Sequence, residues 1–222
     1  MNKEGNVMFT GFSPETVDFL WGIRMNNNRE WFAQHKQQYV TYLYEPMKAL
    51  GAELFTPFAQ GSGNILKVSR IYRDARRHHP DPYKEGLWLC IRREAEEWMD
   101  HPFLYFEINP EGAEYGFCYW SPKAAVMERF RRELAANPRP FLELISATEA
   151  AVGMPIQANP YKKPKKAEDP SLDRFFSWHN QICCTRAIAP GPELFGPELK
   201  DEVADFLEKL TPIYEFFNRF QD

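Results

Sequence analysis

Apolar residues in the first quarter of the chain recur every three to four positions, the spacing of a helix with one buried face. Ser13-Pro14-Glu15 reads as a helix start, with Ser13 as N-cap and Pro14 at the first helical position. Thr16 to Ile23 then carries Val17, Leu20 and Trp21 on one face. Asn26-Asn27-Asn28 breaks this helix, and Asn28 is placed to cap the next. Residues 29–58 predict a long helical stretch, with Trp31, Phe32, His35, Tyr39, Tyr42, Leu43, Met47, Leu50, Leu54 and Phe58 near the helical period. Pro46 is expected to kink or split it, and Gly61-Ser-Gly63 to end it.

The pattern then changes to short runs rich in β-branched and aromatic residues: Ile65–Tyr72, Leu87–Arg92, Phe103–Asn109 and Tyr115–Trp120. Asn109-Pro-Glu-Gly112 is a turn that joins the last two as a hairpin. Ala75–Gly86 is a polar loop, and residues 94–100 predict a short helical turn. Helical spacing returns after Ser121-Pro122, with Ser121 as expected cap and Val126, Phe130 and Leu134 as the apolar stripe. Pro140–Val152 predicts a further helix, and residues 153–170, with four Pro and four Lys, an exposed excursion. Asp173–His179 is expected to be helical, Gln181–Ile188 a last strand, and residues 198–220 a terminal amphipathic helix that Pro212 bends.

Helices, then a strand block, then helices again predict an α+β fold rather than alternating βαβ units. We expect a central, mainly antiparallel sheet of about five strands packed by N-terminal, middle and C-terminal helices. One domain is expected over 1–222, with a helical part at 10–60, a strand block at 65–120, and helices plus one returning strand at 121–220.

Charge changes this picture in one place. The 222 residues carry a formal charge of −4, which excludes a generally basic nucleic-acid binder. Residues 67–93 hold Lys67, Arg70, Arg73, Arg76, Arg77, Lys84, Arg92 and Arg93 against Asp74, Asp81 and Glu85, a net +5, while the rest of the chain is −9. Arg70 and Tyr72 share a strand face at spacing two; Arg73 and Asp74 follow at the strand end, and Pro82-Tyr83-Lys84 returns toward the next strand. Guanidinium forks bind carboxylate or phosphate in two-pronged fashion and Lys adds a point charge. The segment therefore predicts an anion cradle of Arg70, Arg73, Arg76 and Lys84, with Asp74 orienting an arginine and Tyr83 completing the wall. The competing reading is a charge network that pins the loop. Asn27 joins the pocket as a polar member if it faces this loop. Trp120, at a strand end before the helix start Ser121–Ala124, is a further ligand-binding candidate beside free backbone N–H groups.

Four runs in order, Asn27-Asn-Arg-Glu-Trp-Phe32, Ser69-Arg-Ile-Tyr-Arg-Asp-Ala-Arg76, Pro82-Tyr-Lys84 and Trp120-Ser-Pro122 with Arg131, resemble the uncharacterised family known as domain of unknown function 2461. The resemblance covers residues 9–217 and implies that these motif positions form a shared site. It implies no reaction, substrate or cofactor. The chain departs from the family pattern at Arg77, where an aromatic residue is common, and at His78-His79-Pro80-Asp81, where a Lys-containing turn is usual.

Other chemistry is sparse. There is no G-x-S-x-G elbow, P-loop or G-x-G-x-x-G, so no nucleophile or nucleotide motif is present. Glu107 with Asp74 is a bare acid–base candidate. His78-His79 is the densest metal-ligand spot, and neither metal nor cofactor is expected. Cys90, Cys118, Cys183 and Cys184 are expected to be buried free thiols on strands, since adjacent Cys183 and Cys184 face opposite ways. Lys162, Lys163, Lys165 and Lys166 read as a solvated loop rather than a nucleic-acid contact. Residues 1–6 lead into no apolar signal core and no apolar run reaches membrane-span length, so a soluble cytoplasmic protein is expected. The resulting expectation is a protein that binds an anionic or phosphorylated small ligand, with a non-enzymatic nucleic-acid or protein interaction module as the alternative.

Overall fold

The structure is a computed structural model that describes residues 8–59, 63–74, 76 and 80–221. The His78-His79 pair, Arg77, the N-terminal residues 1–6 and the Gly61-Ser62 part of the expected helix end lie outside the described residues.

Helix α1 (Pro14–Met25) has Pro14 in its first turn, and the Ser13 N–H donates to Thr16 Oγ1 at 3.2 Å. Helix α2 (Arg29–Gln38) is capped by Asn28, whose Oδ1 accepts from the Trp31 N–H at 2.9 Å. Pro46 does not break the stretch that follows. A π-helical run at Tyr39–Tyr44 leads into α3 (Glu45–Phe55), so the wider turn lies directly before the proline that lacks an N–H.

Strands β1 (Asn64–Val68), β2 (Leu87–Arg93), β3 (Pro102–Asn109) and β4 (Gly112–Tyr119) follow, then α4 (Ala124–Ala136) and α5 (Arg139–Val152). Helix α4 starts two residues later than Ser121-Pro122 predicts. The Ser121 N–H is engaged by the Met99 carbonyl at 3.1 Å, and Lys123, extended at φ −61° and ψ 143°, occupies the N-cap. A short strand β5 (Gln157–Pro160), three of its four residues exposed, lies inside the segment expected to be an exposed excursion. Four residues ending in Pro give almost no strand signal, and such a segment is tolerated at a sheet edge. Helix α6 is only Asp173–Phe176, so β6 (Trp178–Ile188) begins earlier than expected. The chain ends with α7 (Pro192–Phe195) and α8 (Leu199–Asn218), the latter containing Pro212.

The fold is α+β, with one antiparallel sheet of six strands in the order β1-β2-β3-β4-β6-β5. By compactness the chain divides into two units. The first comprises residues 1–91, 105–115 and 186–204; the second comprises 92–104, 116–185 and 205–222.

In the first unit α3 packs on β1 and β2 through Gly51, where an added Cβ would lie 3.3 Å from Leu66 and Leu89 side-chain carbons. Strand β3 alternates buried Phe106 and Ile108 with half-exposed Tyr105, Glu107 and Asn109. Phe106 stacks on Phe12 with ring centroids 5.7 Å apart, which identifies the buried face and leaves Glu107 on the other. The second unit is held by an aromatic cluster: Phe130–Phe141 at 5.0 Å, Phe141–Phe175 at 5.0 Å and Phe130–Phe217 at 5.5 Å. Large aromatics at such separations combine area burial with edge-to-face attraction.

Two cysteines depart from expectation. Cys118 on β4 and Cys183 on β6 face each other with Cα atoms 4.2 Å apart and form a disulfide, while Cys90 and Cys184 are buried thiols. Two thiols on neighbouring strands cannot be matched without the strand register, which single-chain spacing does not supply. Among the described residues no helix is long and apolar enough to cross a membrane, and no cluster of His, Cys, Asp and Glu could hold a metal ion.

Candidate functional site

Asn27, Arg70, Arg73, Asp74, Arg76, Tyr83 and Lys84 all lie in the first unit. The chain leaves β1 and reaches a single antiparallel bridge between Tyr72 and Tyr83. Around it the Arg73 N–H donates to the Pro82 carbonyl at 2.9 Å and the Lys84 N–H to the Ile71 carbonyl at 2.7 Å. The predicted strand Ile65–Tyr72 is thus a shorter strand plus a narrow ribbon, and the ribbon carries the cationic side chains. Tyr83 is 5% exposed and stacks on Phe32 at 4.2 Å, with Tyr72 5.5 Å from Tyr83.

Asn27 fixes the ribbon from the α1–α2 turn. Its Nδ2 donates to the Tyr83 carbonyl and its Oδ1 accepts from the Tyr83 N–H, both at 3.0 Å. The side-chain amide imitates a strand neighbour, and both of its polar atoms serve the backbone. Asn27→Ala should therefore remove two hydrogen bonds, each worth about 1 kcal/mol. At ~2–4 °C per kcal/mol the expected loss is about 4–8 °C, measured by thermal unfolding.

The arginines divide by partner. Arg76 is 87% exposed and takes both Asp74 oxygens, Nε to Oδ1 at 3.0 Å and an Nη to Oδ2 at 2.8 Å. Asp74 also accepts from the Arg76 N–H at 3.0 Å, so this pair is a local turn facing solvent. Arg73 is half-buried and lies 3.9 Å from both Asp81 and Glu85. Glu85 is bound more closely by Arg24 at 2.6 Å, and Arg24 also pairs with Glu111, which holds its guanidinium charged. Arg70 is exposed and makes no hydrogen bond or ion pair among the described residues.

Lys84 is half-buried, with Nζ 5.4 Å from the Trp88 ring centroid, and has no carboxylate within ion-pair distance among the described residues. Burial pushes its proton affinity below the usual lysine range; Glu107 acts against this, and Arg70 and Arg73 add to it. Glu107 shows the opposite displacement. Burial, then the nearby Glu114, raises its carboxyl above the usual range, and Lys84 works against them. The electrostatic neighbours of Glu107 are thus Lys84 and Glu114, while Asp74 is engaged by Arg76. Glu107 was legible as a half-exposed position in the alternation of β3, but its proximity to Lys84 depends on strand order. Trp120 belongs to the second unit, is 44% exposed, and its carbonyl accepts from the Gln181 N–H at 2.9 Å.

No curated protein matches the chain. A family described as conserved hypothetical protein (DUF2461) matches residues 15–216 and so includes every residue of the cationic ribbon. The chain belongs to this DUF2461 family.

Proposed function

We propose that the ribbon binds an anionic small ligand bearing phosphate or carboxylate, held by Arg70 and Lys84 with Arg73 at its edge. The observation that carries this reading is Lys84: a half-buried ammonium near two guanidinium groups, with no carboxylate in ion-pair reach among the described residues. Burying a charge without a partner is costly, and an anion arriving there recovers part of that cost. Arg70 supplies an unengaged fork for two-pronged recognition. Asp74 and Arg76 form the outer turn, Tyr83 is the packed base, and Asn27 is its clasp. Glu107 adds a carboxyl that can give or take a proton beside the cations.

A second reading has its own observation. Arg24, Glu85, Glu111 and Arg73 form a continuous charge network, so Arg73 serves the loop as well as any ligand. Thermal unfolding of the wild type and Arg70→Ala with phosphate, nucleotides, sugar phosphates, dicarboxylates and short oligonucleotides separates the two. A bound anion at ~100 times its dissociation constant adds about 2.7 kcal/mol, a rise of roughly 5–10 °C. The rise should disappear in Arg70→Ala while the ligand-free melting temperature is kept. Stabilisation by oligonucleotides alone, falling steeply with salt, marks an interaction module instead. No response to any anion, with early melting of Arg73→Ala, marks a structural network.

A further inference from the structure

A second site lies wholly in the second unit, where a cavity of about 350 Å³ opens beside β5 and β6. Its lining includes Met154, Gln157, Asn159, Gln181, Cys183 and Thr185. The two residues of the Cys118–Cys183 disulfide differ in exposure. Cys118 is 4% exposed, whereas Cys183 is half-exposed and borders the cavity. The backbone here is irregular. Gln181 adopts φ +50°, an uncommon conformation for a residue with a side chain, and the β5–β6 register shifts between Gln157 and Asn159 and again before Pro160. Such irregularities interrupt a ladder and leave backbone groups unpaired at an edge. The amide side chains meet there as well, with Asn159 Nδ2 donating to Gln181 Oε1 at 2.9 Å.

We infer that Cys183 is a site of reversible thiol exchange with a small peptide thiol that occupies this cavity. Neutral amides, broken strand pairing and a thioether wall suit a peptide, and the volume suits one of a few residues. In the exchange the incoming thiolate attacks Cys183 Sγ and forms a new S–S bond. The Cys118–Cys183 bond breaks, its electron pair stays on Cys118 Sγ, and that sulfur takes a proton from water. A second thiol then attacks the mixed disulfide on the incoming peptide's sulfur. The oxidised peptide disulfide leaves, and Cys183 is released as a thiol. Two thiols are oxidised and one protein disulfide is reduced, so the electrons balance. Attack at Cys183 rather than Cys118 follows from access, because exchange requires an in-line approach to the sulfur.

The test uses the full chain and glutathione as probe. Protein purified without reductant is expected to show two titratable thiols after unfolding, Cys90 and Cys184. Exposure of wild type to reduced glutathione, and of Cys118→Ser to oxidised glutathione, should each give one glutathionyl adduct, mapped by peptide mass to Cys183. The substitution Gln157→Trp should slow adduct formation with glutathione about tenfold more than adduct formation with 2-mercaptoethanol, the equivalent of ~1.4 kcal/mol. Wild-type mapping needs no variant, so misfolding of Cys118→Ser does not spare the inference. Four titratable thiols, an adduct on Cys90, Cys118 or Cys184, or no adduct on Cys183 overturns it. Equal slowing of both thiols by Gln157→Trp overturns the peptide-binding part.

Discussion

Lys84→Met is expected to abolish anion-dependent stabilisation while raising the melting temperature of the ligand-free protein by a few degrees. Methionine keeps the stem that lies beside Trp88 and removes the charge. Burial is the largest influence on Lys84 and outweighs the attraction of Glu107. A lysine whose folded pKa is depressed contributes stability above its unfolded value of 10.5, and loses that contribution as pH falls through the folded pKa. At neutral pH the charged Lys84 is therefore a cost to the fold. Each kcal/mol recovered corresponds to about 2–4 °C for a chain of this size. Glu107 gives the same substitution a second signature. Its folded pKa is raised, so its contribution is full below the unfolded value of 4.5 and is lost as pH rises through the folded pKa. Lys84 lowers that folded pKa, so without it the loss should extend to higher pH. A melting temperature measured against pH, for wild type, Lys84→Met and Lys84→Met with Glu107→Gln, reads this directly. The window should move up in the single variant and vanish in the double.

Gly112→Ala is expected to be the most damaging single methyl in the first unit. Gly112 opens β4 at φ +133°, and a Cβ there would lie 2.0 Å from the Ile188 carbonyl oxygen and 3.1 Å from the Ala189 Cα. Both obstacles are backbone in or next to β6, so relief requires the β4–β6 ladder itself to move. Backbone clash combined with an unfavourable φ belongs to the class that costs more than about 4 kcal/mol. The expected result is a melting temperature lowered by upwards of ~8 °C, or insoluble protein. Gly153→Ala is the control. Gly153 ends α5 at φ +72° with no atom within 4 Å of an added Cβ, so only the left-handed penalty of roughly 1–2 kcal/mol applies. Similar losses at both positions would contradict the close approach of β4 to β6.

The contrast between these two regions explains how much was readable from sequence. Helices α1 and α2 carry their own signals, because Pro14 and the Asn28 cap act within one turn. The β3–β4 hairpin was legible for the same reason, with its turn lying between alternating runs. Strand β5 was not, since an edge strand of four residues takes its identity from its partner rather than from its own composition. Ser121 looks like a cap but its N–H is engaged elsewhere, by the carbonyl of Met99.

Among the candidate site residues, charge density marked one segment, and spacing could not divide it. Arg73 and Arg76 look alike in sequence. Only the folded ribbon sends Arg76 onto Asp74 and sets Arg73 toward Asp81 and Glu85. The clasp of Asn27 on Tyr83 spans 56 residues and satisfies backbone groups, so no motif announces it. Glu107 is separated from Lys84 by a strand and a loop, and their mutual influence appears only once β2 and β3 are neighbours.

Calorimetric titration of inorganic pyrophosphate and of a sugar phosphate into wild type and Lys84→Met at physiological salt tests the proposed anion site most directly. Saturable binding at one site per chain is expected for at least one of the two ligands, lost in Lys84→Met while that variant melts no lower than wild type. Equal affinity in the variant, or no saturable heat from either ligand, would contradict it.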